Sequence, residues 1–186
     1  MLSKILYKFL LKEKMMKGYV QIYTGDGKGK TTAAIGLAIR ALGAGLKVFI
    51  GQFVKGMYYS ELKSLSLLSP QLVVKQFGRE KFVHNNPTEE DLRAAHDGYQ
   101  EIRGLIRGGE FDLVILDEAN IAVYFNLLTV DDLLSLIEEK PESVELVFTG
   151  RNADPRLIDK ADLVTEMKEI KHYFGKGVTA REGIEK

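Results

Sequence analysis

Thr24-Gly25-Asp26-Gly27-Lys28-Gly29-Lys30-Thr31 stands between a short β-branched run, Tyr19 to Thr24, and a run with helical periodicity, Thr31 to Leu42. The order is strand, glycine-rich loop, helix. Glycines at 25, 27 and 29 let the backbone turn tightly and aim several N–H groups inward. The last three residues complete the G-x-x-x-x-G-K-[ST] pattern, whereas its first place holds Thr24 instead of glycine. In such a loop, phosphate oxygens accept backbone hydrogen bonds at the positive end of the following helix. Lys30 adds a charge, the Thr31 hydroxyl reaches a magnesium ion, and Lys28 offers a second cation. Taken alone, Gly29-Lys30-Thr31 reads more simply as a glycine-rich turn with solvated lysines. Its setting decides otherwise.

The chain beyond the loop alternates regularly. Gly43 and Gly45 end the first helix, and Leu46 to Phe53 predicts a second strand. A helix near Tyr59 to Leu68 leads through Ser69-Pro70 to a third strand at Leu72 to Phe77. Thr88 is a good N-cap for the longest helix, which runs to about Arg107, and Glu89, Glu90 and Asp91 suit its positive end. Phe111 to Leu116 is almost continuously apolar, as in a strand covered on both faces, and it ends in Asp117-Glu118. A helix at Thr129 to Glu139, a strand at Val144 to Phe148, a loop from Thr149 to Pro155, a short helix and a strand near Asp162 to Met167 follow. This alternation predicts an α/β fold, a doubly wound and mostly parallel sheet of about six strands, with ligands beyond the strands' carboxyl ends.

An acidic strand end downstream of a phosphate loop is the arrangement expected of a magnesium-side acid, which makes Asp117 and Glu118, with Thr31, candidate metal residues. Three predicted strands precede Asp117, so an extra strand is expected between its strand and the loop strand in sequence. That favours the RecA-like branch of P-loop folds over the small kinases. Lys55 after the second strand and Arg151 after the fifth would face the same rim. Glu110 and Asp112 read as surface charges.

Composition narrows the classes. The chain of 186 residues is 45% hydrophobic, enough for one substantial core, and 26 basic residues balance 26 acidic ones, which gives no reason to expect nucleic acid. The lack of cysteine excludes disulfides, thiolate catalysis and Cys-ligated metal centres. His84, His96 and His172 are too scattered to suggest a metal site. No stretch approaches the ~20 apolar residues that a membrane span needs. Residues 1–17 are expected to be an amphipathic extension, with Leu2, Ile5, Leu6, Phe9 and Leu10 on one face and Lys4, Lys8 and Lys12 on the other. Lysines interrupt its apolar run and no small-residue cleavage site follows, so it does not read as a signal peptide. Met15 and Met16 offer alternative starts, and residues 18–186 are expected to form a single domain.

These pieces together resemble the P-loop type of ATP:corrinoid adenosyltransferase. The resemblance is carried by Thr24 to Ala34, Gln52-Phe53-Val54-Lys55-Gly56, Asp117-Glu118, Thr149-Gly150-Arg151, and the tail from Ala161 through Lys171-His172 to Glu185. Threonine at the first place of the loop is itself a feature of that family. The resemblance implies a RecA-like sheet of six strands, a homodimer, and ATP lying reversed in the loop so that C5′ faces cobalt. By match, Gly25, Asp26, Gly27, Lys28, Gly29, Lys30, Thr31 and Thr32, after Thr24, would bind triphosphate. Thr31 and Glu118 would serve magnesium or manganese, and Lys55 and Arg151 would complete the pocket. Family members carry aromatic residues after the third strand against the lower corrin face. Phe77 and Phe82 are the candidates here, each equally readable as a core residue, without the tryptophan often found there.

The reaction implied is attack of Co(I), in cob(I)alamin or a cobinamide-type corrinoid, on C5′ of ATP with triphosphate leaving, and Lys30, Thr31 and Glu118 as the catalytic set. A reduced flavoprotein would supply electrons in the cytoplasm, and neither nucleic acid nor membrane is expected as a partner. The amphipathic extension is expected either to dock over the corrinoid cleft or to be incidental, ahead of lying on a membrane. A conventional ATPase or kinase attacking the γ-phosphate, and an ATP-regulated binding module, would use the same loop and stand as alternatives.

Overall fold

The computed structural model describes residues 17–79 and 87–186. All of the amphipathic extension over residues 1–17 except Lys17, together with Phe82 and His84, lies outside the described residues. Six strands run β1 (Val20–Thr24), β2 (Val48–Phe53), β3 (Leu72–Phe77), β4 (Leu113–Asp117), β5 (Glu145–Thr149) and β6 (Leu163–Glu166). Among the described residues six helices connect or follow them: α1 (Lys30–Gly43), α2 (Ser60–Ser66), α3 (Glu89–Gly108), α4 (Ala119–Tyr124), α5 (Val130–Glu139) and α6 (Pro155–Lys160). A 3₁₀ turn, Tyr173–Lys176, lies in the tail.

Every pairing is parallel, and the strand order is β3-β2-β4-β5-β1-β6. The α/β fold and the parallel sheet of six strands expected from the sequence are therefore observed. The strand that separates β1 from β4 in the sheet is β5, which follows both in the chain. Sequence order places β2 and β3 between them instead, and both lie on the far side of β4.

The sheet carries a core on each face because side chains alternate along a strand. On β4, Leu113 and Ile115 join Ala34, Ala38 and Ala41 of α1 and Leu65 of α2. Val114 and Leu116 join Ile102 and Ile106 of α3, Ala119 and Ala122 of α4, and Leu133 and Leu136 of α5 on the other face. Alanine on the inner face of α1 lets that helix lie close to the sheet, so its first turn meets the carboxyl ends of the strands. Helices α3 and α5 start with capping boxes, Thr88 with Asp91 and Thr129 with Asp132. The short α4 has no counterpart among the elements predicted from sequence: six residues are too few to display a period, and it starts from Glu118 in the left-handed region, φ 59°. No helix among the described residues is long and apolar enough to cross a membrane.

Candidate functional site

The strands' carboxyl ends open onto a cleft of about 1020 Å³. Gly27 to Thr32 line one wall, Lys55 and Tyr59 come from the loop after β2, and Glu118, Ile121 and Phe125 come from β4's end and α4. Arg151 stands at the end of β5, and Gly183 to Lys186 of the tail complete the rim.

The phosphate loop owes its shape to the strand beside it. The Gly27 N–H donates to the Met167 carbonyl at 2.6 Å, and a Cβ on Gly27 or on Gly25 would fall 2.6 Å from that same oxygen. Only glycine fits there. Gly29 has φ 119° at the head of α1, which has no side-chain cap and no acid in its first turn. Its leading N–H groups therefore face the cleft without a protein carboxylate to satisfy them. Lys30 is 9% exposed, and its ammonium donates to the carbonyls of Gly25 (2.7 Å) and Gly27 (2.8 Å). Burial, and then the Arg151 charge, lower its pKa, against the pull of Glu118, Asp26 and Asp117.

Asp117 and Glu118 are neighbours with opposite surroundings. Asp117 is 1% exposed, and each of its oxygens accepts two hydrogen bonds. Oδ1 takes Thr31 (2.8 Å) and Thr149 (2.7 Å); Oδ2 takes Lys55 (2.7 Å) and Gln52 (3.2 Å). A carboxylate has about four acceptor positions, and all are used. Burial opposes charge on Lys55, but the Asp117 carboxylate outweighs it and holds the pKa above the usual lysine value. The Glu118 side chain lines the cleft and makes no hydrogen bond among the described residues; its backbone N–H donates to Thr149 Oγ1 at 3.0 Å. Burial, and then the Asp117 charge, raise the Glu118 pKa, while Lys55, Lys30 and Arg151 oppose the shift.

No three His, Cys, Asp or Glu side chains converge on a metal position among the described residues. The Thr31 hydroxyl and the Glu118 carboxylate nonetheless suit magnesium, which takes one or two protein oxygens and completes its shell with phosphates and water.

The remaining predicted residues divide. Thr24, Gly25 and Asp26 do not line the cleft: the Thr24 hydroxyl accepts from the Ala153 N–H at 3.4 Å, and Asp26 lies 3.7 Å from Arg151 Nε. Asn120 donates to the Gly150 carbonyl at 3.0 Å and so ties the turn that carries Arg151 to α4. Phe77 packs in the core, its ring 5.7 Å from that of Phe53 and against Gly98 of α3, away from the cleft.

Lys28 faces the tail instead of standing free. Its ammonium donates to Glu185 (2.9 Å), the Ile184 carbonyl (3.1 Å) and Tyr173 (3.3 Å), and the Glu185 bond raises its pKa. Arg181 braces Glu185, which also accepts from the Tyr173 hydroxyl, and Ser60 of α2 donates to the Lys186 carbonyl at 3.1 Å. The tail thus bridges the phosphate loop and α2. Nothing in the sequence signals that residues 173–186 dock on the phosphate loop, because polar residues without a period do not show where they pack.

A family model for ATP:corrinoid adenosyltransferase BtuR/CobO/CobP matches residues 16–185. The chain is 35% identical over 170 residues to a corrinoid adenosyltransferase of Pseudomonas aeruginosa, covering 91% of this chain and 84% of that protein. It is 34% identical to corrinoid adenosyltransferases of Escherichia coli K12 and Salmonella typhimurium, over 91% of this chain and 86% of each of those proteins. A parallel sheet with a phosphate loop at the carboxyl end of β1, and a match spanning nearly all described residues, identify the chain as a member of the ATP:corrinoid adenosyltransferase family.

Proposed function

We propose that this chain transfers the 5′-deoxyadenosyl group of ATP to the Co(I) centre of cobalamin or a cobinamide-type corrinoid and releases inorganic triphosphate. The observation that carries the reading is the meeting of the uncapped α1 terminus, Lys30, Glu118 and Arg151 in one cleft of a family member. Co(I) attacks C5′ with its own electron pair; the Co–C bond forms, the C5′–O bond breaks, and that bond's electrons leave on triphosphate. No proton moves at C5′, so no protein base is needed.

Charge grows on the leaving oxygen. Lys30, Arg151 and the N–H groups of Lys28 to Thr32 stabilise it in a part-buried setting where such contacts count for more than in water. A magnesium or manganese ion, when bound, supplies a Lewis-acid contact to phosphate oxygens, and Thr31 and Glu118 are the residues that would hold it. Asp117, its acceptor positions filled, acts by orienting the Thr31 hydroxyl and the Lys55 ammonium. The reaction requires C5′ in line with cobalt, and holding it so would fall to the cleft walls. The reading includes a homodimer, a separate electron donor such as a reduced flavoprotein, and a cytoplasmic setting.

The test mixes the protein with ATP, magnesium and chemically reduced cobalamin and follows the Co(I) absorbance. Its loss, with growth of a light-sensitive alkylcobalt spectrum, is expected; an unchanged Co(I) spectrum beside steady ADP formation would turn the reading toward an ordinary ATPase.

A further inference from the structure

Three polar side chains stand abreast in the sheet. Strand register sets Gln76 of the edge strand β3 beside Gln52 of β2, and Gln52 beside Asp117 of β4. Their amides point one way: Gln76 Nε2 donates to Gln52 Oε1 at 3.2 Å, and Gln52 Nε2 donates to Asp117 Oδ2 at 3.2 Å. Gln76 Nε2 also donates to the Met57 carbonyl at 3.1 Å. Gln52 is 1% exposed, so a misdirected amide there would leave buried polar groups unpaired.

The loop held this way needs holding. Val54, a β-branched residue, has φ 60°, a conformation that persists only where its surroundings impose it. The loop from Val54 to Tyr59 supplies Lys55 and Tyr59 to the cleft, with the Lys55 ammonium 5.2 Å from the centre of the Tyr59 ring. Two ties reach it from the sheet, Lys55 to Asp117 and Gln76 to Met57, and a Cβ on Gly78 at the end of β3 would meet Lys55 N at 2.5 Å.

The geometry points to Gln76 as a positioning residue. It lines no part of the cleft, yet it fixes the Gln52 amide that orients Asp117 and the carbonyl that anchors the Lys55 loop. This rests on the adenosyltransferase reading only for the activity assay. Gln76→Met keeps the side chain's length and removes its hydrogen bonds. We expect the variant to stay folded but melt a few degrees lower, because the buried Gln52 Oε1 loses its donor, to bind ATP roughly tenfold more weakly by calorimetry, and to raise the KM for ATP with kcat within about twofold.

The decisive arm is a double-mutant cycle with Lys55→Met. If Gln76 acts through the loop, adding Gln76→Met to Lys55→Met weakens ATP binding by less than about twofold. Gln76→His, which keeps a ring N–H donor on the same strand, is expected to recover most of the loss. A full tenfold loss in the Lys55→Met background, wild-type ATP affinity in Gln76→Met, or a Gln76→His variant as weak as Gln76→Met would overturn the assignment. If the wild type binds ATP without alkylating cobalt, the proposed reaction fails while the calorimetric test of Gln76 stands.

Discussion

Helices α1 and α5 begin with the same problem, a first turn of N–H groups without partners inside the helix, and they meet it in opposite ways. At α5, Thr129 accepts from the Asp132 N–H at 3.1 Å and Asp132 accepts from the Thr129 N–H at 2.8 Å; α3 repeats the device with Thr88 and Asp91. At α1, Gly29 provides no side chain, and no acid follows in the first turn. The pair Asp117 and Glu118 repeats the contrast within two residues. Where the fold has satisfied its own polar groups, a substitution should cost stability; where it has directed them into the cleft, a substitution should cost activity.

The largest expected effect is at the open end. Lys30→Ala is expected to lower kcat/KM by roughly 10²–10³-fold while leaving the urea midpoint near wild type, because it removes charge from where the leaving oxygen develops. A folded variant with wild-type turnover would break the contrast at its strongest point. Asp117→Asn comes next and belongs to the closed side. It sets an amide N–H₂ against donors from Thr31, Thr149, Lys55 and Gln52 and leaves the Lys55 charge uncompensated, so a loss of about 3 kcal/mol in urea unfolding is expected.

Glu118→Gln sharpens the comparison because it should move stability the other way. Burial holds the Glu118 pKa above that of an exposed glutamate, so its charge at neutral pH opposes folding and its removal should raise Tm slightly. Its cost should fall on the dependence of turnover on magnesium, on the order of tenfold at limiting metal. Destabilisation by Glu118→Gln would mean that the carboxylate is structural after all.

Much of this contrast was legible in the residues before any coordinates. The strand at Leu72 to Phe77 was placed to the residue, and the other five to within two residues, because their apolar runs are short and bounded by glycine, proline or charge. The phosphate loop was readable because glycine spacing reports backbone shape directly. What escaped was whatever depends on neighbours in space. Strand order put β5 beside β1, and the register Gln76, Gln52, Asp117 exists only across three strands. Asp117 and Glu118 are chemically alike in the sequence; one extra residue along the chain, and the left-handed turn at Glu118, separates a saturated brace from a cleft-facing acid. Lys28, expected as a second phosphate cation, is engaged by Glu185 from the other end of the chain. Phe77 could be read toward the corrin ring or the core, and α3's Gly98 decides for the core.

Two smaller effects belong to the closed side. Thr129→Ala removes a cap outside the cleft and should cost about 1 kcal/mol of unfolding free energy with kcat and KM unchanged. The smallest effect is a pH dependence. Hydrogen bonds from Arg103 and then Arg107 hold the Glu139 pKa down to about 2, against an ordinary 4.5. A depressed acid stabilises the fold above its ordinary value and loses that contribution as pH falls toward the folded value. Glu139→Gln should therefore be slightly less stable than wild type at pH 6, with the gap narrowing from pH 4.5 toward pH 2; a gap that widens on acidification would reverse the sign.

The central claim is that the groups left open at α1 and Glu118 serve a leaving triphosphate. Phosphorus NMR of the products reads this directly, because attack at C5′ keeps all three phosphates together, whereas attack at the γ-phosphorus yields ADP. With ATP, magnesium and cob(I)alamin, the expected spectrum is that of free triphosphate, in amounts equal to the alkylated cobalt and near zero when corrinoid is omitted. ADP and orthophosphate formed at the same rate with or without corrinoid, and no triphosphate, would contradict it.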